Sequence, residues 1–521
     1  MGSKEQFLQE IKAGYTFKGE HIKIGRAVLN GEVVSGADIF LPLKMVNRHG
    51  LIAGATGTGK TKTLQMLSEQ LSAASVPVLV LDIKGDLSGI AAPGTPGDRL
   101  KERISQLELE WQPQASPVEL LTLSEKPGVR LRATVSEFGP VLLSKILELN
   151  DTQGGVVAMI FKYCDDQKMP LLDLKDFIKV LQFISDEGKK EIEAAYGKIS
   201  TTSTGTILRK VIELQQQGAD LFFGERSFEV DDLMRIADDG RGIVSVLRVT
   251  ELQDRPKLFS TFMLQLLAEL YATLPEEGDL ETPKLVLFID EAHLIFNGAS
   301  TVLLQQIETI MKLIRSKGVG VYFCTQNPMD IPSAVLSQLG TKIQHALRAF
   351  TAADRKTIKQ AAENYPETAY YDTDELLTQL GIGEALVTLL NEKGIPTPLV
   401  HTMMAPPQSR MDVLTETEVQ SIVQQSKIAS RYNQPVDSHS AYEILNEKLN
   451  LAQQRTEEIK QMEAAAKTQK GGAKVPKEES WMDNPMVRQA GRTAAGILTR
   501  SLLGVLGLGG TTRRRKTRSL F

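Results

Sequence analysis

Eight residues constrain this chain more than any others. Gly54-Ala55-Thr56-Gly57-Thr58-Gly59-Lys60-Thr61 fits the pattern G-x-x-x-x-G-K-[ST], between the short apolar run GLIAG and a stretch with Leu64, Leu67 and Leu71 on one helical face. Strand, glycine-rich loop, helix is the order in which a backbone can wrap a phosphate. Glycines let successive N–H groups converge, and the helix N-terminus adds positive potential. The spacing assigns Lys60 to the β- and γ-phosphates and the Thr61 hydroxyl to Mg²⁺. The alternative, a structural glycine turn, has no use for the lysine and hydroxyl at these places.

The rest of the chain supplies a body for that loop. The runs VPVLVLDIKGD, Ile243 to Val249, Leu285 to Asp290 and Val319 to Thr325 are nearly continuous in apolar residues and end in polar ones. Such runs suit strands buried on both faces of a parallel sheet, with function at their carboxyl ends. Before the last run, Leu303, Ile307, Ile310 and Ile314 recur at helical spacing. Strands alternating with helices predict right-handed crossovers and a sheet covered on both sides.

Three regions follow from the changes in pattern. Residues 1–45 read as a small N-terminal β element of short strands and turns, with HIKIGRAVLNGEVV alternating around glycine. Residues 46–405 read as the phosphate-binding domain, with a helical insertion at about 93–240 carried by VLLSKILELN, LLDLKDFIKVLQFI and TILRKVIELQQQ. Residues 406–521 read as a helical extension. In it, Ser440-Ala-Tyr-Glu443 forms a capping box for a polar helix to about Lys467. KTQKGGAKVPKEES is then a linker, Met486 to Leu508 an amphipathic segment, and Arg513 to Arg518 a basic tail.

Composition excludes some classes. Of 521 residues, 42% are hydrophobic and 24% charged, with a net charge of −4 that argues against a surface coated for nucleic acid, though not against a local basic channel. The two cysteines, Cys164 and Cys324, form no metal-ligand or disulfide pattern. With no apolar leader and no run long enough to span a bilayer, the reading is a soluble cytoplasmic protein without a transmembrane segment.

Four further positions carry chemistry. Asp290 and Glu291 end the run LVLFI; there Asp290 suits the Mg²⁺ shell and Glu291 suits a base for the attacking water. Alone, the pair is also compatible with a solvated turn. Gln326, in CTQNP, suits a γ-phosphate sensor, and equally a strand-to-turn junction before Asn327-Pro328. Arg315, in IRSKGVG, fits either an arginine acting on a neighbour's γ-phosphate or a cation set against a helix C-terminus. Arg348 shares that ambiguity. Asp82 and Lys84 either line the site or satisfy their own loop. His293, beside the acids, reads as a packed or capping histidine.

The blocks HGLIAGATGTGKTKTLQ, LDIKGDLSG, SKILELNDTQGG, FFGERSFEVDDLM, KLVLFIDEAHLIF, IRSKGVGVYFCTQNPMDIP and QLGTKIQHALRAF resemble the bacterial HerA-like ATPases, a branch of the HerA–FtsK class of P-loop motors. The resemblance spans about residues 10 to 405. It implies an α/β fold with a RecA-like P-loop core, ATP and Mg²⁺ as ligands, a homohexameric ring with sites shared between neighbours, and double-stranded DNA as a partner. By position it makes Lys60 and Thr61 the phosphate-binding pair, Asp290 and Glu291 the metal and catalytic acids, Gln326 the sensor and Arg315 the trans-acting arginine. The N-terminal part is short beside the β-barrel domain of archaeal members, and the helical insertion belongs to this branch. The basic, amphipathic C-terminus adds an anionic membrane or a protein as further expected partners.

Overall fold

The computed structural model describes residues 4–469 except positions 298, 300, 350, 435 and 437; the linker, amphipathic segment and basic tail read from the sequence lie outside the described residues. The chain divides into two units. One comprises the residues up to Asn150 with Ile212–Asp437, and the other comprises Asp151–Val211 with the chain from Ser438.

The first unit is built on one sheet. Its strands are β1 (His21–Leu29), β2 (Glu32–Pro42), β3 (Gly50–Ala53), β4 (Val78–Asp82), β5 (Val118–Thr122), β6 (Val129–Arg130), β7 (Val244–Arg248), β8 (Leu285–Ile289), β9 (Val319–Thr325), β10 (Thr341–His345), β11 (Glu384–Thr388) and β12 (Val400–Met404). Their spatial order is β2-β1-β12-β11-β10-β3-β9-β8-β4-β7-β5-β6. From β10 to β6 every pairing is parallel, and from β2 to β10 every pairing is antiparallel. The fold is therefore mixed α/β with a largely parallel sheet, as a RecA-like core requires.

The apolar runs behave as their composition dictates. Every residue of β3, β4, β8 and β9 is buried, so these strands carry helices on both faces. Leu64, Leu67 and Leu71 face the core from the helix Lys60–Ala73, and Leu303, Ile307, Ile310 and Ile314 are likewise buried.

Two stretches depart from expectation. The N-terminal region opens with a helix, Lys4–Tyr15, rather than strands, because Phe7, Ile11 and Tyr15 recur every four residues and bury one face against β2. β1 and β2 then form a hairpin through Asn30 and Gly31, both at positive φ (52° and 80°), the turn that matches strand twist. The stretch read as a helical insertion also contributes β5 and β6, which continue the parallel sheet. Short apolar runs such as VELLT do not declare strand or helix by period.

The second unit is helical, with Asp151–Gln167, Leu174–Ser185, Lys189–Tyr196 and Ala441–Gln469. Leu174–Ser185 packs on Ala441–Gln469. Glu443 reaches back to the Ser440 N–H at 3.0 Å, half of the capping box, while Ser440 Oγ accepts from Tyr442 N–H at 3.3 Å rather than from the third residue. The buried Asp176 caps the same helix by accepting from Tyr442 N–H at 3.0 Å.

Candidate nucleotide site

The phosphate-binding loop leaves β3 between β10 and β9 and is tied to the ends of both. Gly54 N–H donates to Thr325 O at 3.2 Å, and Ala55 N–H donates to Ala346 O at 2.8 Å. Thr58 closes the loop, its hydroxyl donating to Ala55 O at 2.7 Å, and its own carbonyl accepts from Gly383 N–H at 2.9 Å. Thr56 and Gly57 stand exposed at the apex. Gly59 holds φ at 115° just ahead of the helix, and a Cβ there would meet the Gly383 backbone at 3.0 Å, so no side chain fits. Lys60 is buried and donates from Nζ to Ala55 O at 3.1 Å. Burial lowers its pKa, with the charges of Glu291 and Asp290 pulling it back up. Thr61 is half-buried on the first turn.

Strand order decides what faces the loop. Along the carboxyl edge of the sheet the sequence is β3, β9, β8, β4, so Gln326 lies between the loop and the acids, and Lys84 lies beyond them. Gln326 is exposed directly after β9. Asn327 and Asp330 fix the turn behind it: Asn327 Oδ1 accepts from Met329 N–H at 3.0 Å, and Asp330 Oδ2 accepts from Thr325 Oγ1 at 2.8 Å. The turn is satisfied without Gln326.

Asp290 and Glu291 are both buried. Burial, opposed by Lys84 and reinforced by Glu291, raises Asp290 to about 7, and its Oδ2 accepts no hydrogen bond from the protein. An orphaned, buried carboxylate oxygen at the same sheet edge as a phosphate loop fits Mg²⁺, which takes one or two protein oxygens and completes its shell with phosphate and water. Among the described residues, no group of three His, Cys, Asp or Glu is placed to hold a metal ion. Glu291 has φ of +46°, a left-handed backbone unusual for a residue with a long side chain. Ala292 N–H donates to Cys324 O at 2.8 Å, pinning that turn to β9. Lys84 Nζ lies against Glu291 Oε1, and His293 Nδ1 stands 3.1 Å from Oε2. The lysine contact is an ion pair, and the imidazole closes the other side of the carboxylate.

The pair left open by the sequence thus divides. Asp82 satisfies its own loop, accepting from the N–H groups of Gly85 (2.7 Å), Asp86 (3.2 Å) and Leu87 (3.2 Å), and burial raises it to about 6. Lys84 lines the site. His293 is not a mere packing residue, since it flanks the candidate base. Arg348 donates to Thr378 O at 3.0 Å from an exposed position past β10.

Arg315 is elsewhere. It sits in the one-turn helix Ile314–Lys317 ahead of β9, at the amino end of that strand, and its Nη2 lies 3.4 Å from Asp279 Oδ1. Seven residues of β9, at ~3.3 Å each, separate it from Gln326 by ~20 Å. It lines a cavity of about 440 Å³ with Arg48, His49, Lys312 and Lys342. No arginine side chain spans that strand, so Arg315 does not serve the site of its own chain.

Two groups beside the loop escaped sequence reasoning. His345 is buried, with Nδ1 2.8 Å from Glu384 O and Nε2 3.0 Å from Thr63 Oγ1. Arg103 donates to Gly383 O at 2.9 Å and Ile382 O at 2.6 Å, and helps line a cavity of about 460 Å³ with Gly59, Lys62, Thr63 and Met404. Their partners lie 39 to 282 residues away, and no local spacing signals such contacts.

The chain is similar to several known proteins. The DNA double-strand break repair helicase HerA of Sulfolobus acidocaldarius is 20% identical over 393 residues, covering 74% of this chain and 70% of that protein. The corresponding helicase of Saccharolobus solfataricus is 25% identical over 387 residues, 73% of this chain and 68% of that one. A probable helicase of Methanocaldococcus jannaschii, MJECL08, is 33% identical over 362 residues, 66% of this chain and 64% of that protein. Among solved structures, VirB4 of Thermoanaerobacter pseudethanolicus is similar at 16% identity and a TM-score of 0.48, covering 75% of this chain and 98% of that one. The bacterial conjugative coupling protein TrwB is similar at 13% identity and a TM-score of 0.49, covering 76% and 97%. The model of the helicase HerA-like C-terminal family matches residues 28–515, and the chain belongs to that family.

Proposed function

We propose that this protein is a Mg²⁺-dependent ATP hydrolase that works as a homohexameric ring and drives double-stranded DNA through it. The observation that carries the hydrolase reading is the order of groups along one sheet edge: phosphate loop, Gln326, then the acid pair Asp290–Glu291. In this reading the Gly54–Lys60 backbone and the Lys60 ammonium hold the β- and γ-phosphates, and Thr61 and Asp290 hold Mg²⁺. Mg²⁺, when bound, draws charge off the phosphate oxygens. Glu291 takes a proton from water as the water oxygen bonds to the γ-phosphorus. The bond from that phosphorus to the bridging oxygen breaks, and ADP leaves with the electron pair. Gln326 orients the water. The cavity beside Gly59 and Thr63 takes the nucleoside, its apolar wall suited to a base.

Arg315 supports the ring. Its place at the opposite end of β9 suits a residue offered to the next copy, where a head-to-tail contact would bring one subunit's amino edge to its neighbour's carboxyl edge. The DNA reading draws support from relatives named as helicases. ATP turnover measured with and without duplex DNA at low salt tests it, because phosphate contacts are strongest there. Stimulation is expected, and its absence would count against DNA as the substrate. Electron micrographs of the protein with ATP should show a six-fold ring with an open pore.

A second reading, a conjugation- or secretion-type ATPase acting on protein or at a membrane surface, draws on the five basic residues of Arg513 to Arg518. Flotation with anionic vesicles decides it: binding that disappears with the tail favours this reading. Among the described residues no helix is long and apolar enough to cross a membrane.

A further inference from the structure

Lys84 follows β4 by two residues, and the loop that carries it is held firmly. Both oxygens of Asp82 are committed to the backbone of Gly85, Asp86 and Leu87, so this neighbouring carboxylate is not a partner for the ammonium. Lys84 instead crosses to β8, one strand spacing or ~4.8 Å away, and lies against Glu291 Oε1. The cation is part-exposed, with 32% of its side chain accessible against 5% for Glu291. His293 covers the other oxygen at 3.1 Å. The candidate base is thus flanked at both oxygens, with two of its roughly four lone-pair sites taken up.

The cap is an ion pair made by a part-exposed lysine. Its ammonium rides on a flexible four-carbon stem and can turn to another anion. A stronger anion within reach would displace it. In the hydrolase reading, on which this inference rests, the γ-phosphate is that anion. It carries more charge and more acceptor oxygens than one carboxylate, and the attacking water lies between it and Glu291.

We propose that Lys84 is a positioning residue that covers Glu291 until a γ-phosphate draws its ammonium away, so that the base is uncovered only when a triphosphate is present. ADP lacks the drawing charge and leaves the cap in place. Binding and base release are thereby coupled through one side chain. A charge-assisted contact made to ATP alone should favour ATP over ADP by about tenfold.

The test uses the full chain with Mg²⁺, comparing ADP with the β,γ-imido analogue of ATP by calorimetry and following steady-state turnover in parallel. Lys84→Met should weaken analogue binding about tenfold and leave ADP affinity within about twofold, with KM for ATP rising by a similar factor. Lys84→Arg should recover most of the analogue affinity. Glu291→Gln, which frees Lys84 from its ionic partner, should tighten analogue binding a few-fold, and the double variant Lys84→Met/Glu291→Gln should lose that gain. Equal losses for ADP and analogue would make Lys84 a structural residue and overturn the proposal. So would a fall in kcat with unmoved affinities, which would make it a transition-state charge. If wild type itself shows no Mg²⁺-dependent turnover, the hydrolase reading fails first. If wild type turns over and the Lys84 variants bind the analogue as it does, only the coupling fails.

Discussion

The two ends of β9 make instructive opposites. At the carboxyl end, Thr325 and Cys324 lend their carbonyls to Gly54 and Ala292, and the surrounding side chains are the acids, Gln326 and the lysines that answer them. At the amino end, Arg48 and Arg315 share Asp279, at 3.7 and 3.4 Å, and line a cavity with Lys312 and Lys342. A buried neutral imidazole stands near each end. His49 accepts Val321 N–H at Nδ1 (3.1 Å), so its proton is on Nε2, 2.9 Å from Met311 O. His345 reverses this: Nδ1 carries the proton toward Glu384 O, and Nε2 accepts from Thr63. One edge of the sheet carries the phosphate loop and the acids, and the other a cluster of cations. In the proposed ring, one subunit's two edges are halves of two different sites.

The comparison is most exposed at Arg315. Arg315→Ala should reduce turnover by about 10³-fold, the low end for a trans-acting arginine, with nucleotide binding retained. Mixed with Lys60→Ala subunits it should regain part of the lost activity. No recovery in rings shown to be mixed would leave Arg315 with only its Asp279 contact. At the other end, Glu291→Gln should bind ATP and lose turnover by about 10²- to 10³-fold, as expected for removal of a general base; turnover equal to wild type would remove the base from the mechanism.

Titration separates the ends more finely. Burial holds His49 at about 4 against 6.5 when exposed. Between those values the unfolded chain binds the extra proton, so stability contributed by the neutral imidazole is full above about 6.5 and is lost as pH falls toward 4. Relative to His49→Gln, wild type should lose up to about 3 kcal/mol across that window in urea unfolding, and parallel pH profiles would refute the assignment. The smallest effect concerns Asp290. At about 7 it is near half-protonated at neutral pH, and a metal ligand must be deprotonated. Mg²⁺–nucleotide binding at pH 7 should therefore release about half a proton, read by calorimetry in buffers of different ionisation enthalpy. A release of zero would place the cation on other oxygens.

Within the parallel half, β3, β4, β7, β8 and β9 were legible because strands buried on both faces advertise themselves as unbroken apolar runs; β8 and β9 coincide with theirs almost to the residue. Three further strands were not. β10, β11 and β12 mix Thr, Gln, His and Glu with apolar residues, and their burial arises from pairing with β3 and β1, a matter of tertiary context. The same contrast runs through the site. A phosphate loop is a local object, fixed by spacing within eight residues. Lys84 on Glu291, Arg103 on Gly383 and His345 on Thr63 join segments about 200 to 280 residues apart, and only the sheet order brings them together.

Glu291 occupies a backbone conformation that most side chains resist. Natural drift at this codon is thereby channelled: β-branched replacements meet a steric penalty before any question of chemistry arises, whereas asparagine and glycine are welcome. In the proposed mechanism, the replacements that this backbone tolerates most readily are thus ones that would silence the reaction.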